Sequence, residues 1–244
     1  MEEAQVTQSS LFLTDVSLCD MAAVEPGALD RTGAACAQLG IDRMEAPIDC
    51  LNLLRAGPTP GVPVVVRCSG LAADIETTYQ PGVVGITVWI NSALSMSRRP
   101  GGVSRPPSTQ QLRRSVEAAR ARGLDVTVAF PMETDRSRAL LSLGYFAQSC
   151  GANRVRLVES TGALHPLDLY RILRSLRERL NAPLEVDLSD ACGLAVGCAL
   201  CAMRAGVRHL VVTTSPGQQA SQHIPVHRLH LCERLGPPRV WAET

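Results

Sequence analysis

The residues most able to do chemistry begin with Leu11 to Asp20, LFLTDVSLCD. An apolar run there ends in two acids, Asp15 and Asp20, with the thiol of Cys19 just before the second. Carboxylates at a strand end can hold a hard divalent cation. A thiol becomes a nucleophile only where its pKa is lowered. No histidine is visibly placed to activate Cys19, and the charge of Asp20 opposes a thiolate, so Cys19 reads as a neutral residue.

Four further places carry reactive residue types. They are Glu45 in RMEAP, Ser160 and Thr161 in VESTG, Asp187 and Ser189 in VDLSDACGLA, and three histidines, His223, His227 and His230. The histidine spacing could put all three on one helical face, but Pro225 interrupts it and no nearby carboxylate completes a site. They read as surface histidines on a last helix rather than zinc ligands. Cys198 and Cys201 form a C-x-x-C pair inside GCALCAM. That apolar helix face should pack inward, so buried structural thiols are expected rather than a redox pair.

Elements must position these residues. Short β-branched runs fall at Leu11–Ser17, Ile41–Ala46, Pro63–Cys68, Gly85–Ile90, Asp125–Phe130, Arg154–Val158, Leu184–Leu188 and His209–Thr213. Most are dominated by apolar residues, as parallel strands covered on both faces are. Amphipathic segments at Gly27–Leu39, Thr109–Arg122, Arg136–Cys150, Leu167–Leu180 and Gly193–Arg204 read as helices, with short or irregular second and third helices. Gly123, Gly151 and Gly206 stand where C-terminal caps belong. Eight alternating pairs in 244 residues predict a single (β/α)8 barrel over 11–236, with tails at 1–10 and 237–244. A doubly wound open sheet is the alternative, and it leaves strands unexplained. The Pro- and Gly-rich stretch Ser97–Ser108 reads as a loop after the fourth strand.

Composition narrows the function. The chain has no lysine, which excludes Schiff-base chemistry, pyridoxal-phosphate anchoring and a P-loop lysine. A net charge of +1 argues against nucleic acid or an anionic membrane as the main partner. No apolar run approaches the roughly 20 residues of a membrane span. Nine cysteines without a signal-peptide pattern point to a reducing cytoplasm.

Taken together, LTDxSLCD, Glu45, the stretch VRCSGLAADIETTYQPGVVGITVWI, the Glu159-Ser160-Thr161-Gly162 turn and the Gly193-Leu194-Ala195 anchor resemble the metal-dependent acyltransferase and lyase barrels. These include homocitrate synthase, isopropylmalate synthase and HMG-CoA lyase. They share a pyruvate carboxyltransferase-like domain and an Asp-Arg-Glu signature (the DRE-TIM superfamily). The resemblance implies that Asp20 and Glu45 keep two signature positions and that Cys19 replaces the arginine that steadies enolate charge. It further implies that Asp187 and Ser189 replace two histidine metal ligands and, more loosely, that Ser215 replaces an asparagine ligand.

By the same resemblance Asn91, Ser160 and Thr161 would contact substrate, and Glu133–Ser137 matches a family Glu-Asp-Ala-Thr-Arg run. The remaining metal set, Asp20, Asp187 and Ser189, is oxygen-only and would suit magnesium better than zinc. The implied ligands are a small 2-oxo acid or other carboxylate, and acetyl-CoA. The implied partners are a second copy or a synthase subunit. Because the departures fall on the reacting groups, the sequence favours a non-catalytic or repurposed barrel over an active acyltransferase that condenses acetyl-CoA with a 2-oxo acid.

Overall fold

The computed structural model describes residues 11–21, 24–25, 27–57, 60–68, 72–90, 109–132, 137–214 and 223–235. Eight parallel strands close in sequence order, with β8 returning to β1. They are β1 (Phe12–Asp15), β2 (Arg43–Pro47), β3 (Val64–Cys68), β4 (Val83–Trp89), β5 (Asp125–Pro131), β6 (Arg154–Glu159), β7 (Leu184–Leu188) and β8 (His209–Val212). The helices between and after them are α1 (Ala28–Gln38), α2 (Leu51–Ala56), α3 (Ala72–Thr78), α4 (Thr109–Ala121), α5 (Ser137–Ser149), α6 (Pro166–Arg177), α7 (Ala195–Arg204) and α8 (Val226–Leu235). This is a (β/α)8 barrel, as the alternation of strand and helix patterns predicts.

The helices form for legible reasons. In α6, His165 caps the first turn by accepting from Leu167 N, Pro166 fills the first helical position, and Leu169, Leu173 and Leu176 form the buried stripe. Gly206 follows α7 at φ +87°, where a side chain would be strained and a Cβ would meet Arg177. Gly123 and Gly151 take the same left-handed conformation after α4 and α5. Cys198 and Cys201 are buried on α7, as their apolar face predicts. Cys192 instead lies exposed before the helix.

The expectation of strands apolar on both faces holds only in part. In β2, β6 and β7 the two faces differ sharply. Met44, Ala46, Val155, Leu157, Leu184, Val186 and Leu188 join the hydrophobic layer under the helices. Arg43, Glu45, Arg156, Glu185 and Asp187 alternate with them, and the first four pair with one another inside the barrel. The register puts Arg156 beside Glu185 and Arg67 beside Thr87, so these residues share the inner face. The lumen is therefore filled by ion pairs as well as apolar side chains.

At its N-terminal end Arg43 meets Asp125 at 3.2 Å and Glu185 at 3.0 Å, and Arg154 also pairs with Asp125. Thr14 donates to Glu185 and accepts from Arg43 Nε. Burial alone would raise the Glu185 pKa, but Arg156 and Arg43 outweigh it and hold the carboxyl far below the usual range.

Candidate functional site

In barrels of this kind function sits at the C-terminal ends of the strands. Here β1 stops at Asp15, earlier than the expected Ser17, and residues Ser17–Asp20 form a 3-10 turn. Asp15 causes the break. Its carboxylate accepts from Ser17 N at 3.0 Å, Ser17 Oγ at 2.9 Å and Thr214 N at 2.7 Å, which ties β1 to the chain after β8. Of the two acids in the opening segment, Asp15 is thus a fastening residue, and Asp20 faces the mouth.

The turn sets Cys19 over Glu45, with Sγ 3.5 Å from the Glu45 carbonyl and 4.0 Å from Oε1. Burial pushes the Cys19 thiol well above its ordinary pKa; Arg67 opposes this and the acids Glu45 and Asp20 add to it. A shift in that direction favours the protonated thiol at neutral pH.

Glu45 is fully buried at the centre of the mouth. Its Oε1 accepts from Arg67 Nε at 2.6 Å and its Oε2 from Thr87 Oγ1 at 2.8 Å. Arg156 Nη1 is 2.7 Å from Oε2, an ion-pair distance without hydrogen-bond alignment. Burial would raise the Glu45 pKa, but Arg156 and Arg67 hold it down to about 2. The guanidinium of Arg67 stacks over Trp89, 4.7 Å from the ring centre. Its Nη2, like Arg156 Nη2, is buried without a hydrogen-bond partner among the described residues.

Sequence reasoning missed both arginines. Arg67 arrives from β3 and brings a positive charge beside Glu45 and Cys19. The available signal was strand parity: Arg67 is the one charged residue in VVVRC and shares the inward face with Thr87.

The other half of the mouth overturns the reading of His223 as a surface residue on the last helix. Helix α8 begins at Val226, after Pro225, and His223 lies outside it. An isolated antiparallel bridge pairs His223 with Ser189, and Thr213 N donates to Ile224 O at 2.9 Å. Ile224 is buried and anchors the segment. The imidazole consequently stands between two acids, with Nδ1 2.6 Å from Asp187 Oδ1 and Nε2 3.2 Å from Asp20 Oδ1. Burial disfavours the charged ring, but Asp187 and Asp20 outweigh it and push the imidazolium pKa up to about 10. Asp187 is correspondingly lowered: its burial is outweighed by His223 and then by Arg156. His227 is exposed, on α8.

The remaining expected residues divide as follows. Ser189 is buried, and its hydroxyl accepts from Ala191 N at 3.3 Å within its own turn. Thr161 donates its hydroxyl to Glu159, which also accepts from Gly162 N at 2.8 Å, so this hydroxyl stabilises the turn after β6. Ser160 is exposed beside it. Asn91, Ser215, the stretch Ser97–Ser108 and residues 133–136 lie outside the described residues.

The oxygen set Asp20, Asp187 and Ser189 does not fit a divalent ion as arranged. A ring with both nitrogens engaged stands between the two carboxylates, and the hydroxyl is turned to a backbone N–H. Among the described residues no cluster of three or more His, Cys, Asp or Glu has metal-holding geometry.

A family model described as HMGL-like matches residues 34–215. The chain belongs to that family. Among curated relatives of this HMGL-like chain, the mitochondrial homocitrate synthase of Schizosaccharomyces pombe is 24% identical over 66% of this chain and 38% of its own length. A homocitrate synthase of Methanopyrus kandleri is 24% identical over 73% of this chain and 47% of its own. The chain thus spans less than half the length of these relatives.

Solved structures share the fold. The HMG-CoA lyase of Brucella melitensis superposes with a TM-score of 0.76 at 15% identity, covering 93% of this chain and 91% of that one. The carboxyl transferase domain of Rhizobium etli pyruvate carboxylase gives 0.70 at 14% identity, covering 94% of this chain and 44% of that one. Among the described residues no helix is long and apolar enough to cross a membrane.

Proposed function

We propose that this HMGL-like barrel, spanning 11–236, binds a small carboxylate at its C-terminal mouth and has given up the metal–enolate condensation of homocitrate synthase. The observation that carries the reading is the pairing at the mouth: Arg67 is tied through Nε to Glu45 and keeps Nη2 for a ligand, while an imidazole stands between Asp20 and Asp187. Guanidinium donors suit a carboxylate, which accepts two parallel hydrogen bonds. The family supports the ligand class. Relatives are homocitrate synthases, and solved neighbours hold pyruvate in one case, and coenzyme A with 3-methylmalate in another.

A second reading keeps the catalysis. Arg67 lies close enough to Glu45 and Cys19 to supply the fixed positive charge that an enolate needs. On that reading the chain condenses acetyl-CoA with a 2-oxo acid. A partner role is a further part of the proposal, since one relative is a homocitrate synthase subunit alpha from Clostridium pasteurianum, 28% identical over 46% of this chain.

The discriminating experiment pairs calorimetric binding of a panel of small carboxylates with acetyl-CoA-dependent thiol release on the same 2-oxo acids. Binding without thiol release is expected. Turnover on any of them would replace the first reading by the second. A reducing cytoplasm and a homodimer or synthase-subunit assembly complete the proposal; size measurement of the purified protein tests the assembly.

A further inference from the structure

We infer that the mouth is a metal-free site for a 2-hydroxy acid, in which the ring of His223 stands between Asp20 and Asp187 where a divalent ion would otherwise sit. The inference rests on the carboxylate-binding reading above and adds the ligand's second functional group.

Three observations lead to it. The first is the placement of the ring. His223 is held by backbone pairing to Ser189 and by the buried neighbour Ile224, and each of its nitrogens meets a different carboxylate. A metal ligand needs a free lone pair directed at the ion, and a ring with each nitrogen set against a carboxylate oxygen directs none elsewhere.

The second is charge. Arg43, Arg67, Arg154 and Arg156 meet Glu45, Asp125 and Glu185 in one group of ion pairs through the lumen, and His223 meets Asp20 and Asp187 in a second group at the mouth. The arginine group is paired without a metal, and in the second group the ring itself fills the place between the two carboxylates.

The third is the set of groups left over. Asp20 Oδ2 and Asp187 Oδ2 are buried without a hydrogen-bond partner among the described residues, and Arg67 Nη2 is an unused donor. Asp187 is about 1% exposed, so its free oxygen is a desolvated acceptor. Buried acceptors of this kind require a donor. A ketone offers none. A hydroxyl beside a carboxylate offers one, with the carboxylate left for Arg67. The charges facing His223 are those of Asp20 from the turn after β1 and Asp187 from β7, with Arg67 and Arg156 acting on Asp187 from behind.

The test compares 2-hydroxyglutarate with 2-oxoglutarate by titration calorimetry, in chelator and again with Mn2+, on the full chain. Manganese binding is read separately by electron paramagnetic resonance, on the wild type and on His223→Ala and His223→Asn, with circular dichroism to verify folding. The hydroxy acid should bind about tenfold or more tightly than the oxo acid, as expected for one hydrogen bond to a charged acceptor. Mn2+ should change neither affinity. The wild type should bind no Mn2+, and a folded His223 variant should gain Mn2+ binding between the vacated carboxylates.

Preference for the oxo acid, or Mn2+ that binds the wild type and tightens the ligand, overturns the inference while the carboxylate reading stands. If neither acid binds under any condition, both fall together. A folded His223 variant that binds no Mn2+ also overturns it, because the ring would then not be what keeps an ion from the acid pair.

Discussion

Arg67 Nε donates to Glu45 Oε1 at 2.6 Å, across two neighbouring strands and 22 positions of sequence. The contact joins two sides of the mouth: Glu45 lies under Cys19, and Arg67 brings charge to the place where Cys19 has none. Its removal should therefore be felt twice. Arg67→Met leaves Glu45 buried with one guanidinium fewer and should cost about 3 kcal/mol of stability, the scale for breaking a buried pair. It should also weaken carboxylate binding by tenfold or more, because the free Nη2 goes with it. Thermal unfolding and calorimetry read the two effects; a variant unchanged in both would show that the pair does neither job.

His223 gives the protein a defined pH dependence. Its folded pKa, about 10, lies above the ordinary value of 6.5. The stabilisation is thus fully present below about pH 6.5 and is lost as pH rises through 10. The side chain is only 16% exposed, so the loss should be on the order of 2–3 kcal/mol. On the acid side, the lowered Asp187 contributes stability above its ordinary value of 3.8 that is lost as pH falls. Chemical denaturation from pH 6 to 10 should show the decline in the wild type, and His223→Gln should flatten it. A wild-type curve as flat as the variant's would exclude a charged ring.

Thiol chemistry should separate the cysteines by exposure and burial. Burial keeps Cys19 protonated, whereas Cys192 is exposed before α7. Alkylation at pH 8 followed by mass spectrometry should modify Cys192 long before Cys19. Rapid labelling of Cys19 in the folded protein would reopen its reading as a nucleophile.

The lumen network should be far more sensitive than its distance from the mouth suggests. Glu185→Gln deprives Arg43 and Arg156 of a shared counter-charge, the former at 3.0 Å and the latter at 2.8 Å. A destabilisation of about 3 kcal/mol is expected, because Arg43 then keeps only Asp125 and Arg156 only Glu45 as counter-charge. Denaturant unfolding measures it, and a loss under about 1 kcal/mol would mean that water or neighbouring acids replace Glu185.

The sequence by itself determined the barrel. The eight β-branched runs, the apolar stripes of α4 to α7 and the glycines after α4, α5 and α7 are local signals, because strand burial, helix amphipathicity and left-handed caps depend on neighbours a few residues apart. It also set Glu45 and Asp20 near the ends of their strands. What it could not decide is which side chains meet. The reading of His223 as a helix-surface residue failed because an isolated bridge to Ser189, 34 positions away in the chain, turns it inward before α8 begins. Arg67 and Arg156 carry no local mark of function; only closure of the barrel brings β3 and β6 to the same carboxylate on β2. Charge pairing across a barrel acts through space, so tertiary structure alone settled what stands between Asp20 and Asp187.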